Sequence, residues 1–236
     1  MPLSLRLALI TLLTLALTAC EGVDLNRVLG DSAEQNNEDR IAAGLREALR
    51  VGAERTVEQT GREDGYLGDS RIRIPLPDQF QSAASQLRRV GLDSQVDELE
   101  RSMNRAAESA AREAAPVFAS VIRNMRPSDV YALLEGDDDA ATRFLRDQSE
   151  TELRERYEPI VRDNMEQAGV YRLYQPLQES FNRLPMLPSL DVDLDRYVTD
   201  RALDGLFTVL AQEESRIRED PAARTTELLR DVFGRN

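Results

Sequence analysis

Glu213 is where a charged group meets an apolar surface in this chain. From Tyr197 onward, Val198, Ala202, Leu206, Val209, Leu210 and Ile217 share one face at about 100° per residue, and Glu213 falls in the middle of that stripe. A carboxylate there must be paired or neutral, because burial disfavours its ionised form. Two chemistries fit: an ion pair with an arginine from another helix, or an acid at the edge of a pocket. Arg216, Arg218 and Arg224 are close enough in sequence to be partners or to clamp an anionic ligand. Arg224-Thr225-Thr226 falls in the first turns of an expected final helix, where free N–H groups hold anions; ordinary capping uses the same residues. Asn104, Glu108 and Arg112 recur every four residues. Glu108 projects roughly opposite the Val96–Met103 stripe, so this row reads as a solvated face with a surface pair worth a few tenths of a kcal/mol. A single helical Glu is also the acid a glycan-cleaving enzyme would use.

No metal site is expected. Asp191-x-Asp193-x-Asp195 imitates the start of a calcium loop, but Arg196 and Ala202 stand where that loop needs Gly and Glu. Asp137 to Asp139 read as a helix N-cap. The chain contains no His and no Lys, and a single cysteine, Cys20. Those absences remove Ser/His/Asp, Cys/His and Ser/Lys nucleophiles, Schiff-base cofactors and ordinary zinc ligation, so no cofactor is expected. Any enzyme here would work with carboxylates, Arg, Tyr or hydroxyls.

Cys20 has its own chemistry. It follows Leu17-Thr18-Ala19 at the end of the apolar run Leu7–Ala19, behind Arg6. The run is shorter than the roughly 20 residues a spanning helix needs. A charged start, an apolar stretch and small residues before a cleavage point make a secretory signal. With a unique cysteine directly after Leu-Thr-Ala, the pattern is that of a bacterial lipobox. Residues 1–19 are expected to be removed and Cys20 acylated. The formal charge is −13, and an acidic body repels phosphate backbones and anionic head groups. Nucleic acid is therefore not expected as a partner, and lipid on Cys20 is the expected membrane contact.

The elements that must position these residues are mostly helical. Residues 20–37 read as a tether reaching roughly 20–25 Å, and 38–236 as one α-helical domain. A helix is expected over Glu38–Thr60, with Ala48, Gly52 and Thr56 small enough for close helix packing. Asp78–Arg89 and a long helix from Asp93 to about Met125 follow, the latter kinked or broken by Pro116. Ala107, Ala111 and Ala114 widen its face, so it should meet more than one neighbour. Further helices are expected at Pro127–Glu135, around Phe144 and Leu145, over Glu150–Gln167 with Pro159 inside, Tyr171–Arg183, Asp195–Arg218, and Pro221–Phe233 with Asp220 as N-cap. Arg71–Leu76 and Leu190–Leu194 alternate with period two, one with Arg and the other with Asp on its polar face. Paired as a two-stranded ribbon, they would gain about a few tenths of a kcal/mol per cross-strand ion pair. The expected fold is all-α, a single bundle-like multi-helix domain with that small ribbon.

Several segments together resemble a known family. They are Gly44–Leu49, Asp64-Gly65-Tyr66, Ile72–Pro77, Met103–Glu108, Tyr197–Asp200, Ala202–Phe207 and Pro221–Thr226. The chain resembles bacterial domain-of-unknown-function family 4197, whose members are mostly envelope lipoproteins, over about Glu38 to Gly234. The resemblance implies a single domain and no established activity. It also gives Asn104 and Glu108 a claim beyond a solvated face.

The expected protein is lipid-anchored in the bacterial cell envelope. Glu21 follows the anchor where lipoproteins kept at the inner membrane often carry Asp, which points to the periplasmic face of the outer membrane. The expected role is a non-catalytic module binding an envelope protein or small-molecule ligand; the alternative is a carboxylate-dependent envelope hydrolase using Glu213 or Glu108. The residues singled out are Cys20 for lipidation, and Asn104, Arg218, Arg224 and Thr225 for a ligand. Cys20→Ser should move the protein from the membrane to the soluble periplasmic fraction on cell fractionation; retention with membranes contradicts the anchor.

Overall fold

The computed structural model describes residues 25–89, 91, 93–182, 192–223 and 226. Its helices are α1 (Leu25–Gly61), α2 (Asp78–Arg89), α3 (Asp93–Ala111), α4 (Ala114–Arg123), α5 (Pro127–Leu134), α6 (Ala140–Gln167), α7 (Val170–Asn182) and α8 (Leu194–Glu219), followed by a 3-10 turn at Pro221–Ala223. The chain divides after Ile41, and the unit from Ala42 onward carries the core. Helix α1 starts earlier than its apolar periodicity indicates, and α6 joins two expected helices into one. Of the expected final helix, only its start is described; the rest lies outside the described residues, as do Cys20, Arg224 and Thr225.

The centre of the unit is the packing of α3, α6 and α8. Helix α3 can touch both others because Ala106, Ala107, Ala110 and Ala111 on it are fully buried and bring no bulk. Met103 and Leu99 fill the next turns towards its start. Helices α6 and α8 run antiparallel, and a seam of arginines on α6 meets aspartates on α8: Arg146 with Asp204 at 2.8 Å, Arg154 with Asp200, and Arg162 with Asp195 at 3.1 Å. These pairs are partly exposed, so each adds little stability, but together they favour the antiparallel register.

Proline explains two departures from simple helices. The long helix expected to about Met125 breaks between Ala111 and Ala114, ahead of Pro116. The pyrrolidine ring clashes with the carbonyl four residues back, at Arg112, so the chain restarts with Pro116 in the first turn of α4. Pro159, by contrast, lies inside an unbroken α6. It sits on the exposed face together with Glu155, where water can take the carbonyl that loses its donor.

The expected ribbon does not form: the described residues contain no β-strand. Arg71–Pro77 does have two faces, with Ile72, Ile74 and Leu76 buried and Arg71, Arg73 and Pro75 exposed. Its backbone partner is a side chain instead of a strand. Asn104 on α3 accepts from the Ile74 N–H at 2.9 Å and donates to the Ile74 carbonyl at 2.8 Å. Leu190 and Asp191 of the other expected strand lie outside the described residues, and the aspartates that follow are used elsewhere. Asp193 is the N-cap of α8, accepting from Arg196 N at 3.1 Å, and Asp195 takes the Tyr171 hydroxyl and Arg162.

Two glycines define opposite packing limits. A Cβ on Gly205 of α8 would lie 2.6 Å from the Tyr66 ring and 3.2 Å from Ile72, so a bare backbone is what lets the connector after α1 seat against α8. A Cβ on Gly52 of α1 would meet only Ile217 Cδ1, at 3.6 Å. Close helix packing therefore does not require Gly52. The space beside it belongs to an apolar cleft of about 30 Å³ bordered by Leu49, Leu145, Leu210 and Ile217. Gly205→Ala should lower stability by about 1–3 kcal/mol through overpacking, whereas Gly52→Ala should raise it by about 0.5–1 kcal/mol through helix propensity. Urea denaturation of the two variants checks the ordering, and equal effects would contradict it.

Candidate functional site

A row of polar side chains on α3 and at Arg112, just past its end, holds the connector between α1 and α2. Arg112 donates from Nε to the Gly61 carbonyl at 2.9 Å, closing the end of α1. One helical turn earlier, Glu108 Oε1 accepts from the backbone N–H of Tyr66 at 3.1 Å and of Leu67 at 3.3 Å. Asn104 comes next, on Ile74, and then Glu100, whose carboxylate meets Arg73 at 2.7 Å. The connector thus runs antiparallel to α3, tied at each turn. Its inner side chains fill the gap to α8: Tyr66 is fully buried and donates its hydroxyl to the Ala202 carbonyl at 2.6 Å. Burial pushes the Tyr66 phenol well above its ordinary range.

Glu108 and Asn104 are therefore not on a solvated face. The helical projection places Glu108 away from the Val96–Met103 stripe, and the connector covers that side, leaving Glu108 3% exposed and Asn104 fully buried. The second Glu108 oxygen takes Arg105 at 2.6 Å, and Arg105 also reaches Asp64 at 2.8 Å and Glu63 at 3.2 Å. Asp64 adopts a left-handed conformation at φ 61°, which Asp tolerates better than most residues. Both carboxylate oxygens of Glu108 are thus engaged in holding the turn.

On α8, consecutive glutamates do different work. Glu213 is 5% exposed, as its place in the apolar stripe predicts, and it is ion-paired. Oε1 accepts from Arg216 at 2.8 Å, and Oε2 lies 3.6 Å from Arg55 on α1. Glu213 thus has both features that its position in the stripe allows: it is paired with arginines on its own helix and on α1, and it borders a concavity, with Oε2 making no hydrogen bond among the described residues. Glu214, which the stripe did not single out, accepts from Ala141 N at 3.1 Å, Thr142 N at 2.8 Å and the Thr142 hydroxyl at 2.8 Å. It supplies from another helix the negative cap that the N-terminus of α6 needs. The expected caps, Asp137 and Asp139, pair instead with Arg143, and Asp139 makes no side-chain cap bond.

Arg218 completes that arrangement. It donates to Glu214 at 2.9 Å and to the Leu133 carbonyl at 3.2 Å, in the last turn of α5. One i,i+4 pair therefore puts an anion at the start of α6 and a cation at the end of α5. Arg218 has a structural partner on each side, as does Asn104; Arg224 and Thr225 are not among the described residues.

Three open concavities among the described residues border α8. One, of about 350 Å³, is walled by Arg55, Glu58, Gln59, Arg62, Glu213 and Arg216. Another, of about 660 Å³, includes Thr208, Gln212, Ser215, Arg216 and Glu219. They share Arg216. A third, of about 240 Å³, lies between α7 and the start of α8, beside Tyr171 and Asp195. Among the described residues no His, Cys, Asp or Glu cluster is arranged to hold a metal ion, and no helix is long and apolar enough to cross a membrane. Arg62 escaped the sequence reading because nothing in its local pattern signals which surface it faces. Glu214 escaped because its partners lie more than seventy residues away.

Removing the Glu214 carboxylate tests the crossed capping. Glu214→Ala should cost about 2–3 kcal/mol in chemical denaturation, since it strips acceptors from buried N–H groups, and Glu214→Gln about 1 kcal/mol, since an acceptor remains. Equal stability of both variants and wild type would contradict the assignment.

Two of the comparisons with known proteins return nothing: no curated protein and no solved structure matches the chain. The family described as protein of unknown function (DUF4197) matches residues 35–234, which include the α3 row, the connector and all of α8. On that match the chain belongs to the DUF4197 family.

Proposed function

We propose that this is a lipid-anchored protein of the bacterial cell envelope, held through Cys20 at the periplasmic face of the outer membrane, whose helical body binds a partner or small ligand without catalysis. The observation that carries the binding reading is the pair of concavities meeting at Arg216. Their walls offer guanidinium, amide and hydroxyl groups, which recognise ligands through hydrogen bonds and charge. The alternative, a hydrolase using Glu213 or Glu108, has less support. Glu108 has donors on both oxygens, and Glu213 is ion-paired to two arginines. An acid catalyst needs a carboxyl group free to reach its substrate.

Site-specific photo-crosslinking in cells tests this reading. Amine-directed reagents suit it poorly because the chain has no Lys. A photoreactive residue at Gln212 or Thr208 should give discrete adducts, and one at Gln148, on the exposed surface of α6, should not. Identical adduct patterns from both surfaces would contradict a binding role for the α8 concavities.

A further inference from the structure

We propose that the groove between the end of α1 and α8 is an oxyanion site, taking the phosphate of a small hydroxylated molecule on Arg62 and Arg216. This deepens the binding reading above and rests on it.

Charge is the first argument. The protein carries −13 overall, yet this groove gathers Arg55, Arg62 and Arg216 against Glu58 and Glu213. The Glu213 carboxylate is buried and already shared between Arg216 and Arg55. Its charge offsets part of theirs and leaves the groove with a net positive sign. A local positive groove on an acidic surface attracts anions selectively, because the surrounding field repels them elsewhere.

Arg62 is the second argument. The seams described above consume arginines in ion pairs, whereas the Arg62 guanidinium is exposed and makes no ion pair or hydrogen bond among the described residues. Its backbone is fixed all the same. The Arg62 carbonyl accepts from Gly65 N at 3.0 Å, and the neighbouring Gly61 carbonyl is held by Arg112. Arg216 is anchored by one N–H on Glu213, and its side chain is 55% exposed, so further donors remain for a ligand. Two guanidiniums around an oxyanion supply charge-assisted bonds in the fork geometry that suits phosphate.

The shape gives the ligand class. The groove's roughly 350 Å³ is within the range of small-molecule sites. Beyond Arg216 it continues into the concavity lined by Thr208, Ala211, Gln212, Ser215, Glu219 and Asp220, whose two carboxylates accept hydrogen bonds from the hydroxyls of a ligand body and repel its phosphate, which keeps the anion on the Arg62 side. A phosphate monoester on a sugar-like body fits both parts. It can come from a soluble molecule or from a lipid head group.

Titration of the folded mature protein with glucose 6-phosphate, followed by calorimetry and by the arginine side-chain N–H resonances, tests the site. Vesicles of phosphatidylcholine with and without phosphatidic acid form the second arm. Saturable binding of either phosphate monoester, with Arg62 and Arg216 resonances shifting and glucose alone silent, is the expected result; the arm that responds identifies the source. Arg62→Gln should weaken that binding about tenfold, and it leaves the fold intact because the Arg62 side chain has no described partner. Absence of binding in both arms, or unchanged affinity in Arg62→Gln, overturns the oxyanion site. If crosslinks from Gln212 persist in that case, the binding reading stands and only the anion is removed.

Discussion

The fold depends on satisfying the backbone of a connector that has no regular structure of its own. Between Gly61 and Pro77 the chain lies against the bundle with Gly65, Tyr66, Ile72, Ile74 and Leu76 buried among exposed residues, and an unpaired N–H or carbonyl at those buried positions costs about as much as a lost hydrogen bond. Turns within the connector pair the N–H groups of Gly65, Gly68, Asp69, Ile72 and Arg73, and side chains spaced one turn apart on α3 and just past its end pair others: Arg112 on Gly61, Glu108 on Tyr66 and Leu67, Asn104 on Ile74. A primary amide is suited to the last position because it offers donor and acceptor together, as a neighbouring strand would. With its backbone paired, the connector can send Tyr66, Ile72 and Ile74 against α8, where Gly205 leaves room for the ring.

The same solution recurs at the helix ends. Glu214 and Arg218 are one turn apart on α8, yet they address two other helices, α6 at its positive end and α5 at its negative end. Each charge is placed where the helix dipole favours it. Buried polar groups in this protein thus serve mainly to join elements far apart in sequence. That use separates them from the surface features along α8, where Arg62, Arg216, Gln212 and Thr208 line open concavities.

What was legible in the sequence follows from which interactions are local. The 3.6-residue stripes gave the principal helices, the wide alanine face of α3 and the burial of Glu213, because a helix shows its inner face in its own periodicity. Period-two alternation correctly divided Ile72, Ile74 and Leu76 from Arg71 and Arg73. It could not show that the partner would be an asparagine thirty residues on instead of a strand. The helical projection of Glu108 was sound, but the inference of solvent was not, since an irregular segment covers that side. Acidic residues next to a helix start looked like its caps; Arg143 competed for them, and Glu214 took the N–H groups instead.

The central claim is that α3 fixes the connector as firmly as it fixes the helices. Native-state hydrogen exchange on the amides of Tyr66, Leu67 and Ile74 tests it most directly. These N–H groups lie outside every helix, so ordinary loops set the expectation of fast exchange. The structure predicts instead that they exchange only with global unfolding, alongside core amides of α3 and α8, and that Asn104→Ala selectively speeds Ile74. Fast exchange of all three in the wild type, on the scale of exposed loops, would contradict the account.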